Sequence, residues 1–346
     1  MRCMVSMVMK QRDTNIELFR CVVMLLIVAH HYMMHSGLLT VTPGNLTSVN
    51  SVYLYLFGMW GKVGINCFVL ITGYFMCQSS ISLPKYMKLL LQVVFYKVLI
   101  TICFIVSGTQ EFSIKEALLT LLPFTDIDNG FVDCFMVFYL FIPFLNILIH
   151  SMTEKQHRSL ISLCLFVFCF WPQLHVFKVN SNYVVWFSVI YIIASYIRIY
   201  EIDRKLPFYM WSRITIMMII IACGSVIFLL MCGRQWPLFL VYDCNSVLAV
   251  VVSVASFVYF KQMPIHYHRW INIIASSTFG ILLIHDCNWT MRQWLWVDLL
   301  KCTEWFERNI FFHSILSVLG VFLICSVVDL LRLHFLERPL FKYLTK

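Results

Sequence analysis

Charged residues are scarce in this chain. Asp, Glu, Lys and Arg together make up 12% of its 346 residues, whereas a soluble domain carries about 25%. This scarcity excludes an ordinary soluble enzyme. Hydrophobic residues reach 61% and the mean hydropathy is +0.82, a composition that indicates a polytopic membrane protein.

The sequence also lacks the motifs of several enzyme classes. It contains no C-x-x-C pair, zinc-ligand spacing, P-loop, dinucleotide-binding fingerprint or G-x-S-x-G nucleophile elbow. Most of its 14 cysteines lie inside apolar segments and behave there as small apolar residues. We therefore expect neither a bound metal nor a permanently bound cofactor. The net charge of +9 is divided among short loops, so a nucleic-acid partner is not expected either.

Ten apolar segments are long enough, or nearly so, to cross a bilayer. They predict an all-α fold, a polytopic membrane helix bundle of about ten transmembrane helices. We expect one integral membrane domain over residues 1–346, in which residues 1–12 form a disordered cytoplasmic tail. The predicted spans, of which the fifth and the ninth are short, are 17–35, 53–76, 87–107, 131–150, 158–172, 182–199, 212–232, 237–260, 270–286 and 309–333.

The distribution of Lys and Arg predicts the orientation of these spans. With ten spans both termini lie on the same side of the membrane, and alternate loops belong to that side. Assigned in this way, 17 of the 26 Lys and Arg residues fall on the terminal side and six fall in the loops of the other side. Because positive residues accumulate in cytoplasmic loops, we expect both termini in the cytoplasm.

The first span combines a cation with a base. Arg20 and His31 are eleven residues apart, about three helical turns, so both side chains leave one face of the helix about 16 Å apart along its axis. Such side chains are costly in lipid, so this face is expected to line a protein-lined or watery cavity. His35 lies one turn beyond His31 on that face. His30 is turned away by about 100° and is expected to pack within the bundle.

Two further polar patches belong to the second and third spans. Lys62 and Asn66 lie one turn apart near the outer end of the second span, where they are placed to line a polar pocket, although the glycines of this segment fit a packed helix interface. Lys85 and Lys88 share one face at the cytoplasmic start of the third span. Such a pair can hold a nucleotide phosphate, and ordinary cytoplasmic flanking charge explains it equally well.

Six short patterns recur in a fixed order along the chain. They are Arg20 with ten residues before His31, FVLITGYF from Phe68, Lys85 with Lys88, FMVFYLFIPFLN from Phe135, STFGILLIH from Ser277, and LERP from Leu336. Each pattern is weak alone. Together they resemble the membrane acyltransferase-3 family from about residue 12 to 343.

Two positions depart from the family pattern. The family usually has two arginines where this chain has Lys85 and Lys88, which keeps the charge but loses the planar bidentate fork. A phosphate contact there is therefore expected to be looser. The aromatic residue, often Trp, that commonly precedes the stretch from Phe131 is Gly130 here, which puts a substrate-stacking role at that point in doubt.

The resemblance implies an integral membrane O-acyltransferase. Such an enzyme moves an acyl group, usually acetyl, from cytoplasmic acyl-coenzyme A to a hydroxyl of a cell-surface polysaccharide or lipid-linked glycan. It also implies a multi-pass protein of the bacterial plasma membrane, with acyl-coenzyme A as co-substrate and the glycan acceptor and membrane lipid as partners. A thioester is already activated, so catalysis needs mainly a base for the acceptor hydroxyl and cations for the donor and the oxyanion.

The resemblance also implies roles for individual residues. His31 is the candidate general base, because a neutral imidazole accepts a proton near pH 7. Arg20 is a candidate catalytic cation and donor anchor. Lys85 and Lys88 are the other candidate acyl-coenzyme A contacts.

Four more residues are possible catalytic or acceptor-binding groups: His285, Asp133, Tyr139 and Lys62. His285 ends the ninth span beside Asp286, which can orient a base, but a histidine at a helix end is also an ordinary interfacial residue. Asp133 and Tyr139 lie on the fourth span, where they either contact substrate or bridge neighbouring helices.

A transporter or exporter of a small anionic or glycan substrate is the alternative. In that case Arg20, His31, Lys62 and Asp133 are substrate-binding or proton-relay residues. Transporters often show inverted repeats and broken spans in matching halves, and the sequence shows neither clearly. The acceptor sugar, the identity of the acyl group and the oligomeric state stay open at this level.

Overall fold

The computed structural model describes residues 13–42, 44, 46–122, 124–127, 130–174, 182–337 and 339. All regular elements of these residues are helices and no strand occurs among them, which confirms the all-α prediction. Within the same residues, six helical stretches are long and apolar enough to cross a membrane, and Tyr183–Ile199 and Val247–Gln262 are shorter apolar helices. The count of about ten spans and the cytoplasmic position of both termini stay predictions. The predicted tail, residues 1–12, lies outside the described residues.

The α-helices of the described residues, in chain order, are α1 (Thr14–His35), α2 (Leu38–Val41), α3 (Val49–Gly58), α4 (Gly61–Met76), α5 (Leu83–Val106), α6 (Ile114–Thr120), α7 (Phe131–Ser151), α8 (Glu154–Leu165), α9 (Trp171–Gln173), α10 (Tyr183–Ile199), α11 (Ile202–Lys205), α12 (Phe208–Met231), α13 (Val247–Gln262), α14 (Arg269–Ala275), α15 (Thr278–His285), α16 (Trp289–Arg292) and α17 (Phe306–Arg332). A π-helical turn, Phe166–Phe170, joins α8 to α9, and the fifth predicted span falls within these three elements. Two more π-helical turns, Gln293–Leu299 and Leu333–Glu337, follow α16 and α17. A 3₁₀ turn, Cys302–Trp305, precedes α17.

Helix α1 lies at the centre of the bundle. It contacts α3, α4, α13, α14, α15 and α17. Most of its apolar side chains are buried against this ring of helices, and the others are partly buried. The close approach of α4 depends on Gly64, because a β-carbon there would press on the Ile27 side chain of α1. This central position puts the histidine-bearing end of α1 inside the protein.

The second predicted span consists of two helices, α3 and α4, which meet between Gly58 and Gly61. A β-carbon at either glycine would overlap a side chain of α1, Met33 in the first case and His30 in the second. The Gly58 carbonyl at the break accepts a hydrogen bond from His30 Nδ1 at 2.7 Å. His30 is therefore buried and bonded within the bundle, in agreement with the packing role expected from its helix face.

The eighth predicted span begins ten residues later than expected, at Val247. Residues 237–246 form turns instead of helix. Leu238 and Val241 of this segment are nonetheless buried, because they pack into the core from a loop. The apolar run over residues 237–246 therefore predicted burial correctly, but its predicted helical structure was wrong.

The ninth predicted span is divided into α14 and α15. The hydroxyls of Ser276 and Ser277 donate to the carbonyls of Ile273 and Ile274 at 2.6 and 2.7 Å, and the regular helix is interrupted there. Helix α15 is consequently short. Its last residue is His285.

A buried polar cluster joins α5, α15 and α17. The fully buried Asp329 carboxylate accepts a hydrogen bond from the Tyr96 hydroxyl at 2.8 Å and forms an ion pair with Arg332 at 2.8 Å. Gly280 of α15 faces this carboxylate, and a β-carbon there would overlap it. Since an intramembrane charge needs partners, these contacts hold the three helices in one fixed arrangement.

Candidate active site

A polar cavity of about 270 Å³ lies where the C-terminal end of α1 meets α4, α10 and α15. Its polar lining consists of three histidines, two cations, two carboxylates and two tyrosines: His30, His31, His35, Lys62, Arg292, Asp126, Asp286, Tyr183 and Tyr242. A larger groove of about 420 Å³ between α5 and α17 has a mostly apolar lining. Because acid–base chemistry requires convergent titratable groups, the polar cavity is the candidate active site.

His31 and His285 are 254 residues apart in sequence and meet at this cavity. His31 Nδ1 lies 2.9 Å from His285 Nε2, and His285 Nδ1 lies 2.6 Å from the Ile281 carbonyl oxygen. A carbonyl only accepts, so His285 Nδ1 carries a proton, and Nε2 of the neutral ring is an acceptor. His31 Nδ1 then donates to it. This arrangement leaves the lone pair of His31 on Nε2.

Asp286 connects the histidines to a cation. Its Oδ1 atom lies 2.6 Å from Arg292 Nε and 3.7 Å from both His31 Nδ1 and His35 Nε2. The ring of His35 lies beside that of His31, with 5.1 Å between their centroids. A carboxylate at this distance stabilises positive charge on either imidazole ring, and Arg292 compensates the carboxylate when both rings are neutral.

The ligand atoms of His31, His35 and Asp286 lie within 4.8 Å of one another, a set of two imidazoles and one carboxylate that is able to bind a metal ion. Existing hydrogen bonds engage two of these three residues, however. Arg292 Nε bonds the Asp286 oxygen at 2.6 Å, and His31 Nδ1 is bonded to His285. The group therefore fits an acid–base cluster better than a metal centre.

The structure places Lys62 in the same cavity. Its Nζ atom donates to the Tyr183 hydroxyl at 2.7 Å and lies 5.6 Å from the centroid of the Tyr242 ring. Asn66, predicted beside Lys62, is fully buried instead and donates to the Cys244 carbonyl at 2.6 Å. Lys62 thus supplies charge to the cavity, while Asn66 holds the loop that carries Tyr242.

Gly130 also lines the cavity, immediately before Phe131. A β-carbon at Gly130 would lie 2.6 Å from the Asp126 carbonyl oxygen. The preceding loop therefore leaves no room for an aromatic side chain at this position. Tyr183 and Tyr242 supply aromatic rings to the cavity from other elements.

Asp133 and Tyr139 are not among the residues that line the cavity. The buried Asp133 carboxylate forms an ion pair with Lys97 of α5 at 2.9 Å. It also accepts hydrogen bonds from two backbone N–H groups of the preceding loop, both at 2.9 Å. The Tyr139 ring stacks on Tyr86 of α5 at a centroid distance of 6.1 Å. Both residues bridge α7 to α5, which favours the helix-bridging interpretation over substrate contact.

The candidate donor contacts also lie outside the lining of the polar cavity. Lys85 is exposed and bonds a backbone carbonyl at 3.3 Å. Lys88 is half-exposed and forms an ion pair with Glu337 at 2.5 Å. Arg20 is partly buried on α1. The structure therefore ties Lys88 to the helical turn Leu333–Glu337. The next residue, Arg338, lies outside the described residues.

Sequence reasoning missed four polar residues of the cavity lining: Asp126, Arg292, Tyr183 and Tyr242. Asp126 had been considered only as a charge in an outer loop. Arg292 had a detectable signal, since it is a cation seven residues after His285 in an apolar region. It was counted only as a loop charge. The two tyrosines had no signal, because nothing in the sequence distinguishes them from the other 14.

A bundle of apolar helices around a cavity lined by histidines defines a membrane protein with a cluster of titratable side chains in its interior. The sequence profile of the acyltransferase domain of the acyltransferase-3 family matches residues 13–330, most of the chain. The protein therefore belongs to this family of membrane acyltransferases, which confirms the resemblance. Neither a curated protein nor a solved structure matches the chain.

Proposed function

We propose that the protein is an O-acyltransferase that moves acetyl from acetyl-coenzyme A to a hydroxyl of a cell-surface polysaccharide or lipid-linked glycan, with His31 as general base. The observation that carries the proposal is the bonding order Ile281–His285–His31, which leaves the lone pair on His31 Nε2. A base for the acceptor hydroxyl is the main catalytic group that a thioester donor requires.

The proposed reaction begins with the acceptor hydroxyl. Its proton moves to His31 Nε2 while its oxygen bonds to the carbonyl carbon of the thioester. The tetrahedral intermediate carries negative charge on the former carbonyl oxygen, and Lys62 in the same cavity is the cation proposed to stabilise it. The carbon–sulfur bond then breaks, and the imidazolium returns the proton to the sulfur of coenzyme A.

Asp286 has a role in the same cycle. During proton transfer His31 becomes positively charged, and the Asp286 carboxylate 3.7 Å from Nδ1 stabilises that charge. Arg292 holds the carboxylate in place through the 2.6 Å bond to the same oxygen. This arrangement stabilises the transition state more than the neutral ground state, which is the requirement for rate acceleration.

The donor is proposed to enter from the cytoplasmic end. Arg20 lies about three turns, roughly 16 Å, from His31 along α1, a separation that suits a pantetheine arm reaching from a phosphate site to the reacting carbon. Lys85 and Lys88 are the proposed phosphate contacts. In this arrangement Lys88 exchanges its ion pair with Glu337 for the donor.

The enzyme is preferred over the transporter alternative because the family match covers residues 13–330. The proposed location is the bacterial plasma membrane, where the donor is cytoplasmic and the acceptor is a glycan or glycolipid. Membrane lipid surrounds the bundle, and the apolar side chains exposed on α5, α12 and α17 suit that environment.

The test is transfer of a radiolabelled acetyl group from acetyl-coenzyme A to glycan in membranes that contain the protein. His31→Ala is expected to lower the rate by about 10²- to 10⁴-fold at matched expression, because the general base is lost. His30→Ala is the matched control. It removes the bond to the Gly58 carbonyl, so it should lower stability and keep most of the turnover per folded molecule.

Two results would contradict the proposal. If His30→Ala abolishes transfer while His31→Ala retains it, the assignment of the base is wrong. If the protein moves a glycan across the membrane at the same rate with and without acetyl-coenzyme A and transfers no label, the transporter alternative is correct.

A further inference from the structure

A second cavity, of about 180 Å³, adjoins the candidate active site. Tyr242 lines both cavities. On the active-site side, Lys62 Nζ lies 5.6 Å from the Tyr242 ring centroid. On the other side, the Trp236 ring meets Tyr242 edge-to-face at a centroid distance of 4.8 Å. The two cavities are therefore adjacent and share one aromatic wall.

The wall of the second cavity is a built structure rather than a loose loop. Asn66, fully buried on α4, donates to the Cys244 carbonyl at 2.6 Å and accepts from Trp186 Nε1 at 2.9 Å. Leu238 and Val241 anchor the same loop in the core. Trp236 and Tyr242 are thus held in place, which lowers the entropic cost of binding a ligand against them.

The chemistry of the second cavity suits a carbohydrate. Trp236 is 38% exposed and offers an apolar aromatic surface, while Asp243, Asn245 and Gln173 bring carboxylate and amide groups to the lining. A pyranose ring has an apolar C–H face that packs on an aromatic ring and a rim of hydroxyls that bond carboxylates and amides. The described lining contains no Lys or Arg, which argues against a phosphate or another anion.

We propose that the second cavity binds the sugar next to the one that is acylated, so that the acceptor is an oligosaccharide or polysaccharide bound through two consecutive residues. The proposal rests on the proposed function. The volume of the second cavity, about 180 Å³, is comparable with that of one pyranose ring. The shared Tyr242 wall places that ring beside the cavity in which His31 accepts the proton.

The experiment uses the full-length protein in lipid nanodiscs with size-fractionated fragments of the producing cell's surface polysaccharide. Acetyl transfer from acetyl-coenzyme A is measured for a monosaccharide and a tetrasaccharide fraction. Trp236→Ala should raise the KM for the tetrasaccharide about tenfold. The factor by which it raises this KM should be at least about five times the factor for the monosaccharide, because only the longer substrate loses a binding contact. Trp305→Ala is the control. It has the same exposed fraction, 38%, and lines neither cavity, so both KM values should stay unchanged.

Equal changes in the two KM values, or no change in either, would overturn the second subsite. Binding of the tetrasaccharide is also measured by calorimetry without acyl-coenzyme A. This measurement distinguishes failure of the second subsite from failure of the proposed function. If the wild type transfers no acetyl but binds the tetrasaccharide, and Trp236→Ala weakens binding about tenfold, the proposed reaction fails and the sugar site stands. If the wild type does not bind the tetrasaccharide, the sugar site is wrong.

Discussion

His285 determines which ring nitrogen of His31 carries the proton. It is fully buried, and its two ring nitrogens are bonded to the Ile281 carbonyl and to His31. The bond that one imidazole nitrogen makes determines the state of the other, so a carbonyl on α15 fixes the tautomer of a ring on α1. His285 is in this sense a positioning residue for the proposed base.

Substitution of His285 is expected to separate positioning from proton transfer. His285→Ala should lower kcat about 10- to 100-fold, less than removal of the base, because His31 loses the acceptor for its Nδ1 proton. His285→Gln keeps an acceptor oxygen and should recover part of the rate. The measurement is steady-state acetyl transfer, with the KM for acetyl-coenzyme A expected to stay constant. Equal loss in both variants at unchanged stability would show that His285 itself carries a proton.

Helix α15 joins the candidate active site to the buried polar cluster around Asp329. It ends at His285 in the candidate active site, and Gly280, about 7.5 Å earlier along its axis, faces Asp329 of α17. Asp329 is in turn bonded to Tyr96 of α5. The position of His285 therefore depends on how closely α15 approaches α17.

Gly280→Ala is expected to destabilise the protein by about 1 to 3 kcal/mol, because the added methyl group would overlap the Asp329 carboxyl group. The midpoint of thermal unfolding in detergent measures this effect. Gly320→Ala is the matched control on α17, where a β-carbon meets no atom within 4 Å, and it should be neutral or slightly stabilising. Equal midpoints for the two variants would show that α15 and α17 adjust freely.

At the scale of the whole molecule, two ion pairs each join helix ends that the predicted ten-span topology places on one side of the membrane. The Lys88–Glu337 pair brings the start of α5 beside the end of α17. The Asp13–Lys261 pair brings the start of α1 beside the end of α13. The alternation of ten spans assigns these four segments to the same side of the membrane, the side with the excess of Lys and Arg.

Reporter fusions test this topology. A reporter that is active only outside the cytoplasm should be inactive at both termini. Inserted after Gly108, which lies between α5 and α6, the same reporter should be active. Activity at the C-terminus with inactivity at the N-terminus would reveal an odd number of spans, and the predicted count of about ten would then be wrong.

The sequence alone determined the class of protein, its all-helical composition, its family and the residues that a helix face or a motif identifies. Composition is a sum over residues, and a helix face depends only on local spacing, so neither needs tertiary information. Arg20 with His31, the His285 motif and Lys62 became candidates in this way. The breaks at Gly58–Gly61 and at Ser276 were not predicted, because hydropathy indicates burial and does not distinguish a continuous helix from a broken one.

Only the tertiary structure decided which candidates meet. It brought His31 to His285 across 254 residues and Lys62 to Tyr183 across 121. It also engaged Asp133 with Lys97 and placed Tyr242 between two cavities. Such contacts arise between segments distant in sequence, whose relative positions are fixed by the close packing of glycine-bearing helices rather than by any local pattern.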